Sequence, residues 1–348
     1  LYGANQAAAC TGVILRPADG GTIVARTLEF GADLVSFRLI VVPRKFSYAG
    51  QTTSGQSGLK WTTRFGHVGF APFDMPLVAD GVNERGLGCG AFYLPGYAEY
   101  QSNNEQEIDR TLSQLDLVSW VLGSFETVAQ VREALTQVRV VGVVPPQASF
   151  VVPLHYWVVD ETGDAAVIEY TGGELHLFEA PLRVITNSPT YDWHMTNARN
   201  YLGLQALNRP GLKLGNHVFS QFGQGSGAIG LPGDFTPPSR FIRAAFLAQT
   251  VYPGKTAPEG IAAAFHILNQ FDIPRGAVRE REGDKVMVEA TQWTSASDLR
   301  NRRYYFHTEH NRTVQRVNLD QIDLNADQIK SLSVDGPGAC EDLSARLQ

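Results

Sequence analysis

Apolar and polar positions change in short blocks near both ends of the chain and take a helical spacing in the middle. Val13-Ile14-Leu15 runs into Pro17-Ala18-Asp19-Gly20-Gly21, a strong turn signal, and Thr22-Ile23-Val24-Ala25 returns. Residues 13–30 therefore read as a β-hairpin. Residues 34–42, 62–73, 77–82 and 87–93 read as further strands, with a Ser-, Gly-, Gln- and Thr-rich loop at 47–58 and a turn at 80–86. Gly88, Gly90 and Ala91 imply that another layer packs closely on the last of these strands. Leu112, Leu115, Val118 and Leu122 predict a helix over 111–123. Thr127 with Gln130 forms a capping box for a second helix, on which Val128, Val131 and Leu135 share a face. Strands follow at 156–159, 165–170 and 175–178, and residues 184–190 read as a strand ending in an Asn-Ser-Pro turn. Pro237-Pro238 opens a helix, and residues 261–271 form a mostly apolar one. Strands at 291–294, 303–306 and 314–318 end the pattern. Early strands, a helical middle and later strands fit an α+β layered domain better than a βαβ repeat.

Composition narrows the function classes. The chain has 348 residues, 43% hydrophobic and 18% charged, with no internal repeat or linker, so it reads as one large domain with ample core. A formal net charge of -6 argues against nucleic acid as a partner. Cys10, Cys89 and Cys340 are too widely spaced for a disulfide framework or a zinc motif. No histidine pair has metal-ligand spacing, and His155, His194 and His266 read as packed or hydrogen-bonded groups. No apolar run is long enough for a membrane span. Gly225-x-Gly227-x-x-Gly230 matches a dinucleotide fingerprint, but Leu231-Pro232-Gly233 follows it where a helix should start, so no nucleotide cofactor is expected. Residues 191–230 are too many for a connector, which implies a pocket or assembly role. Tyr201, Leu202, Leu204 and Leu207 are its apolar groups.

Ala7-Ala8-Ala9 stands directly before Cys10, and small residues are what a processing peptidase reads. A cut between Ala9 and Cys10 would place a thiol and a free α-amine on one residue. With reference pKa values of about 8.5 and about 7.7–8.0, the amine can serve as base and the sulfur as nucleophile near neutral pH. Two other readings compete: a small buried hydrophobe, and a lipid-modified cysteine of an exported protein. The lipid site normally wants a larger aliphatic residue where Ala7 stands. Residues 1–9 read as a propeptide or the remnant of an export signal. The protein is periplasmic or secreted in the second case and cytoplasmic otherwise.

CTGVILRPADGG, VARTLEF, ADGVNERGLGCGAFYLPGY, VITNSPTYDWH and GQGSGAIGLPGDFTPPSRFIRAAF resemble the choloylglycine hydrolase and penicillin V acylase family of N-terminal-nucleophile cysteine amidases. The resemblance runs from Cys10 to about Tyr305. It implies a four-layer αββα sandwich, one amidase domain over 10–348, and loss of residues 1–9. Cys10 matches the family's nucleophile, and Arg26 the arginine beside the thiol. Asn187 matches the asparagine facing the oxyanion, together with a backbone N–H near Tyr93, and Arg240 matches a second supporting arginine. Glu29 stands where the family usually has an aspartate that orients the new amine, one methylene longer by about 1.5 Å. Tyr93 stands where many bile salt hydrolases have asparagine and penicillin V acylases often have tyrosine.

Taken singly, each residue has a plainer reading. Arg26 and Glu29 could be an exposed ion pair, Asn187 an Asx turn and Arg240 a helix-surface charge. The resemblance further implies hydrolysis of an N-acyl amide, penicillin V or a glycine- or taurine-conjugated bile salt, without metal or cofactor. Another N-acyl amide such as an N-acyl homoserine lactone is the alternative substrate. Phe30, Phe70, Phe73 and Tyr93 are the expected pocket residues, and the 191–230 excursion resembles the loop by which the family forms homotetramers.

Overall fold

The computed structural model describes residues 9–31, 36–334, 336, 338 and 344. Residues 1–8 of the expected leader, the start of the strand expected at 34–42, and Cys340 lie outside the described residues. In chain order the elements begin with β1 (Cys10–Leu15), β2 (Ile23–Gly31), β3 (Phe37–Val42), β4 (Ser47–Ala49), β5 (Lys60–Thr62), β6 (His67–Pro72), β7 (Asp80–Asn83), β8 (Gly88–Tyr93) and β9 (Thr111–Ser113). Helices α1 (Leu117–Ser124) and α2 (Val128–Leu135) precede β10 (Arg139–Val141), β11 (Leu154–Val159), β12 (Ala165–Thr171), β13 (Glu174–Glu179) and β14 (Val184–Ile185). Then come α3 (Tyr191–Asn197), β15 (Leu212–Leu214), β16 (His217–Phe219), α4 (Pro237–Thr250) and α5 (Ala257–Leu268). The last strands are β17 (Val278–Glu282), β18 (Lys285–Asp298), β19 (Arg303–Thr308), β20 (Gln315–Asn318) and β21 (Lys330–Ser333).

Two antiparallel sheets form the centre. One runs β14-β1-β2-β18-β19-β20, with β17 added beside β18; the other runs β13-β12-β11-β8-β7-β6-β3-β21. Helices α4 and α5 cover the first sheet, and α1 and α2 cover the second. The result is the expected αββα layering. Between the sheets lie Leu28, Phe70, Phe92, Trp157, Trp293 and Phe306, with the Phe70 and Trp293 rings stacked at 4.5 Å. On the outer face of the second sheet, Tyr156, Val158 and Ile168 meet Leu117, Val121 and Val131. Strand β11 is thus buried on both faces, which explains the apolar run from Tyr156 to Val159.

Two glycines near the site let the sheets approach closely. A Cβ on Gly12 would lie 2.8 Å from both Trp157 and Ile185. One on Gly90 would lie 2.9 Å from Asp80 Oδ1 and 3.4 Å from Arg26 Nη1, so only glycine fits either place.

Several boundaries differ from the sequence expectation. The expected loop at 47–58 opens with β4, which pairs with β5 across a shorter connection. Asp80 to Asn83 is strand, and the turn is confined to 84–86. The helix expected over 111–123 starts at Leu117. Before it, Thr111–Ser113 pairs in parallel with β10, and the Asp116 carboxylate accepts from Ser113 N–H (2.8 Å) and Oγ (2.7 Å). Such side-chain bonds compete with helix. Helix α5 starts at Ala257, ahead of the apolar run, with proline in its first turn. In α2 the Thr127 hydroxyl accepts from Gln130 N–H as expected, but Gln130 Oε1 takes the Glu126 N–H instead of closing the box on Thr127.

Candidate active site

Cys10 is the first residue of β1, and it is buried. It pairs with Leu28 on β2, and both line a cavity of about 270 Å³. The Cys10 N–H donates to Asn187 Oδ1 at 2.7 Å. Asn187 follows β14 by two residues, and its Nδ2 donates to the Tyr93 carbonyl on β8 at 2.7 Å. This carboxamide therefore bridges the two sheets, which is more than an Asx turn. Arg240, in the first turns of α4, is wholly buried and not a surface charge. Its Nη2 donates to Asn187 Oδ1 at 2.7 Å, and its Nη1 donates to Thr11 Oγ1 at 2.9 Å and to the Cys10 carbonyl.

Arg26 and Glu29 are likewise buried, and each has its own partners instead of an exposed ion pair. The Arg26 guanidinium lies 4.0 Å from the Phe92 ring and 5.2 Å from the Trp293 ring, and it donates to the Ala91 carbonyl. Its Nη2 has no hydrogen-bond partner among the described residues. The Glu29 carboxyl accepts from Thr291 Oγ1 at 2.7 Å and Thr27 Oγ1 at 3.0 Å. Its backbone N–H donates to the Ala9 carbonyl at 2.8 Å. With the Ala9–Cys10 peptide bond in place, the Cys10 nitrogen thus faces Asn187, whereas the resemblance implies Glu29 as its partner once the amine is free.

Burial pushes the Cys10 thiol up, and the Arg26 and Arg240 charges pull it back while Glu29 opposes them. Glu29 itself is pushed up to about 8 by burial, against the pull of Arg240, Thr291, Thr27 and Arg26. Near neutral pH it is therefore mostly protonated. Burial outweighs the two cations, so Cys10 Sγ rests as the thiol and needs a base to take its proton.

The cavity is largely apolar. Phe30, Phe37, Phe73, Leu115, Val118 and Tyr93 line it, with Gln114, Gln147 and Ser149 as uncharged polar groups. Phe30 and Tyr93 meet edge to face at 6.0 Å. Phe73 sits at φ 55, a left-handed conformation uncommon for a bulky residue, in the loop after β6. Phe70 is a correction to the expected lining: it points into the core between the sheets, behind Phe37 (6.5 Å), and Phe37 takes its place in the cavity. Among backbone donors near Tyr93, the Leu94 N–H is committed to the Pro153 carbonyl at 2.8 Å.

Sequence reading missed Thr11, Thr27 and Thr291, which hold Arg240 and Glu29. Thr291 is 262 residues from Glu29, and no local signal marks it. Among the described residues no group of three or more His, Cys, Asp or Glu could hold a metal ion, and no helix is long and apolar enough to cross a membrane.

Comparison with known proteins places the chain among amide hydrolases. A bile salt hydrolase/transferase of Clostridium perfringens is 33% identical over 324 residues, covering 92% of this chain and 96% of that protein. A penicillin V acylase of Pectobacterium atrosepticum is 28% identical, over 86% of this chain and 77% of that protein. The crystal structure of a cysteine-to-alanine variant of the conjugated bile acid hydrolase from Clostridium perfringens superposes with a TM-score of 0.84 at 31% identity. It covers 96% of this chain and 100% of that one. The family model for linear amide C–N hydrolases of the choloylglycine hydrolase family matches residues 10–332, starting at Cys10 itself, and this chain belongs to that family of amide-hydrolysing enzymes.

Proposed function

We propose that Cys10, freed at its nitrogen by cleavage after Ala9, is the nucleophile of an N-acyl amide hydrolase acting on penicillin V and on conjugated bile salts. The observation that carries this reading is the placement of Cys10 at the wall of the apolar cavity, with its nitrogen held by Asn187. Cys10 Sγ attacks the amide carbonyl. The new α-amine takes the thiol proton and passes it to the leaving nitrogen. Asn187 Nδ2 carries two hydrogens; one is held by Tyr93 O, and the other serves the oxyanion. Arg240 fixes Asn187 Oδ1 and so the direction of that donor. Water then releases the acyl group from the thioester.

An apolar, aromatic-walled cavity suits a hydrophobic acyl group, and the Tyr93 face suits an aryl one such as phenoxyacetyl. A buried thiol at the head of a central strand is poorly placed for a lipid anchor. The deciding experiment combines the intact mass of the mature protein with hydrolysis rates on penicillin V, glycocholate and taurocholate. An N-terminal free Cys10 and release of the amine support the reading; a diacylglyceryl adduct, or no turnover of any amide, refutes it.

The same reading includes a homotetramer built through the 191–230 excursion. There Leu202, Leu207, Val218 and Phe219 are exposed, while Tyr201 and Leu204 pack against the core.

A further inference from the structure

Strand β14 ends at Ile185, whose register partner is Gly12. Residues 186 and 187 have left the β-ladder, so their carbonyls need other donors. Two buried histidines supply them. His155 Nε2, from β11 in the other sheet, lies 3.1 Å from the Thr186 carbonyl, and His194 Nε2, from α3, lies 2.8 Å from the Asn187 carbonyl. Both nitrogens face carbonyl oxygens, so both carry the proton.

Each ring is fixed from behind. His155 Nδ1 lies 2.9 Å from Glu169 Oε1, and the two Glu169 oxygens receive the Tyr191 N–H at 3.0 and 3.2 Å, at the start of α3. The His194 ring stacks on Phe241 of α4 at 4.6 Å, within 8° of parallel. Its Nδ1 is buried with no hydrogen-bond partner among the described residues. A histidine that leaves one nitrogen unsatisfied for a single hydrogen bond is a costly way to fill a core, and such violations concentrate at functional sites.

We propose that His155, supported by Glu169, and His194 are positioning residues that hold the Thr186–Asn187 backbone and thereby aim the Asn187 carboxamide at the reacting carbonyl. The proposal rests on the oxyanion role given to Asn187 above. Successive carbonyls are gripped from two different elements, so rotation of the segment about its own axis is blocked. Arg240 and Tyr93 then fix the side chain. Neither histidine lines the cavity, so neither should affect substrate binding or the thiol directly.

The test is a set of variants assayed on the best-turned-over amide of the panel. His155→Leu and His194→Leu should lower kcat on the order of 10- to 100-fold, the scale of a misplacement near 1 Å, with little change in KM. Alkylation of Cys10 by iodoacetamide should stay at the parent rate. His194→Gln, which keeps a side-chain N–H donor, should recover most of the loss. In an Asn187→Ala background, His155→Leu and His194→Leu should cost nothing further, because the group they aim is gone. Folded Leu variants with parent kcat, or an equal loss in both backgrounds, would overturn the positioning role and leave the proposed function standing. Parent-level kcat in Asn187→Ala alone would instead overturn the oxyanion reading, and the positioning role with it.

Discussion

Asn187 and Cys10 are joined nitrogen to oxygen: the carboxamide oxygen accepts the Cys10 backbone N–H at 2.7 Å. The partners fix the amide orientation, since Oδ1 meets two donors, Cys10 N and Arg240 Nη2, while Nδ2 meets the Tyr93 carbonyl. Freed by cleavage after Ala9, the Cys10 amine can keep donating to Oδ1 while its lone pair turns toward the thiol. Asn187→Ala should therefore lower kcat by about 10²–10³, the usual effect of losing one oxyanion donor, and should also loosen the amine. A steady-state assay with unchanged kcat would contradict this.

Cys10→Ala should fold, with an unfolding temperature near that of the parent, and hydrolyse no amide. Cys10→Ser should be far weaker than the parent because an alcohol ionises much less than a thiol. Acyl-enzyme trapping followed by mass spectrometry should find the adduct on residue 10 of the parent. Near-normal turnover by Cys10→Ala would end the nucleophile assignment. A chain that retains Ala9 should be inactive, since a peptide nitrogen has no basic lone pair.

The Glu29 carboxyl makes stability depend on pH. Its folded value of about 8 lies above the ordinary 4.5, because burial disfavours the anion. The folded chain thus holds a proton that the unfolded chain has released, and this contribution is complete below about 4.5 and is lost as pH rises through about 8. Glu29→Gln does not titrate. Thermal melts of parent and Glu29→Gln across this window should show the parent falling relative to the variant as pH rises, with no further divergence above it. A difference that stays constant with pH would show that Glu29 keeps its ordinary acidity.

Much of the scaffold is visible in the chain because its turns carry the residues that turns require. The β1–β2 hairpin, β8, the β11–β12–β13 run and the opening of α4 lie where the pattern puts them. Strands β17 and β21 do not show, since Val278–Glu282 is charge-rich and Lys330–Ser333 is short, polar and exposed. Phe70 lies on the expected strand but faces away from the cavity, and β6 hides this because it is buried on both sides and its pattern does not alternate. The site is another matter. Arg240 meets Cys10 across 230 residues and Asn187 meets it across 177, separations on which local periodicity is silent. Those residues could be named only through the family resemblance. Nothing in either kind of reading marked the threonines behind them, and His155 and His194 read only as packed or hydrogen-bonded groups, with no link to Asn187.

The excursion after α3 supplies an assembly prediction. Leu212, Leu214, Val218 and Phe219 on the β15–β16 hairpin are all more than half exposed, as are Leu202, Leu207 and Phe222 nearby. Apolar groups gathered this densely mark an interface, and a second copy of the chain is the occupant proposed here. Light scattering at micromolar concentration should give a tetramer, and Val218→Lys combined with Phe219→Lys should shift it toward smaller species. A monomeric parent would refute the assembly.

Substrate preference should turn on Tyr93. Its ring lines the cavity beside Cys10 and meets Phe30 edge to face, so an aryl acyl group would add a third ring to an existing pair. Burial pushes the phenol up to about 12, so its hydroxyl stays neutral across the working pH range and adds no charge against an acyl chain. Replacing the ring with the shorter, polar carboxamide of asparagine removes that face and widens the cavity. One altered pocket contact is worth about 1–3 kcal/mol, roughly 10- to 200-fold, which tilts a preference without excluding a substrate. The parent should therefore hydrolyse both penicillin V and glycocholate, with penicillin V modestly ahead. In Tyr93→Asn the ratio of penicillin V to glycocholate kcat/KM should fall by at least about 10-fold. The backbone carbonyl that holds Asn187 remains in the variant, so glycocholate turnover should survive and serve as the internal control. A ratio that stays level or rises would make Tyr93 a wall residue without influence on the acyl group, and the aryl preference would lose its basis.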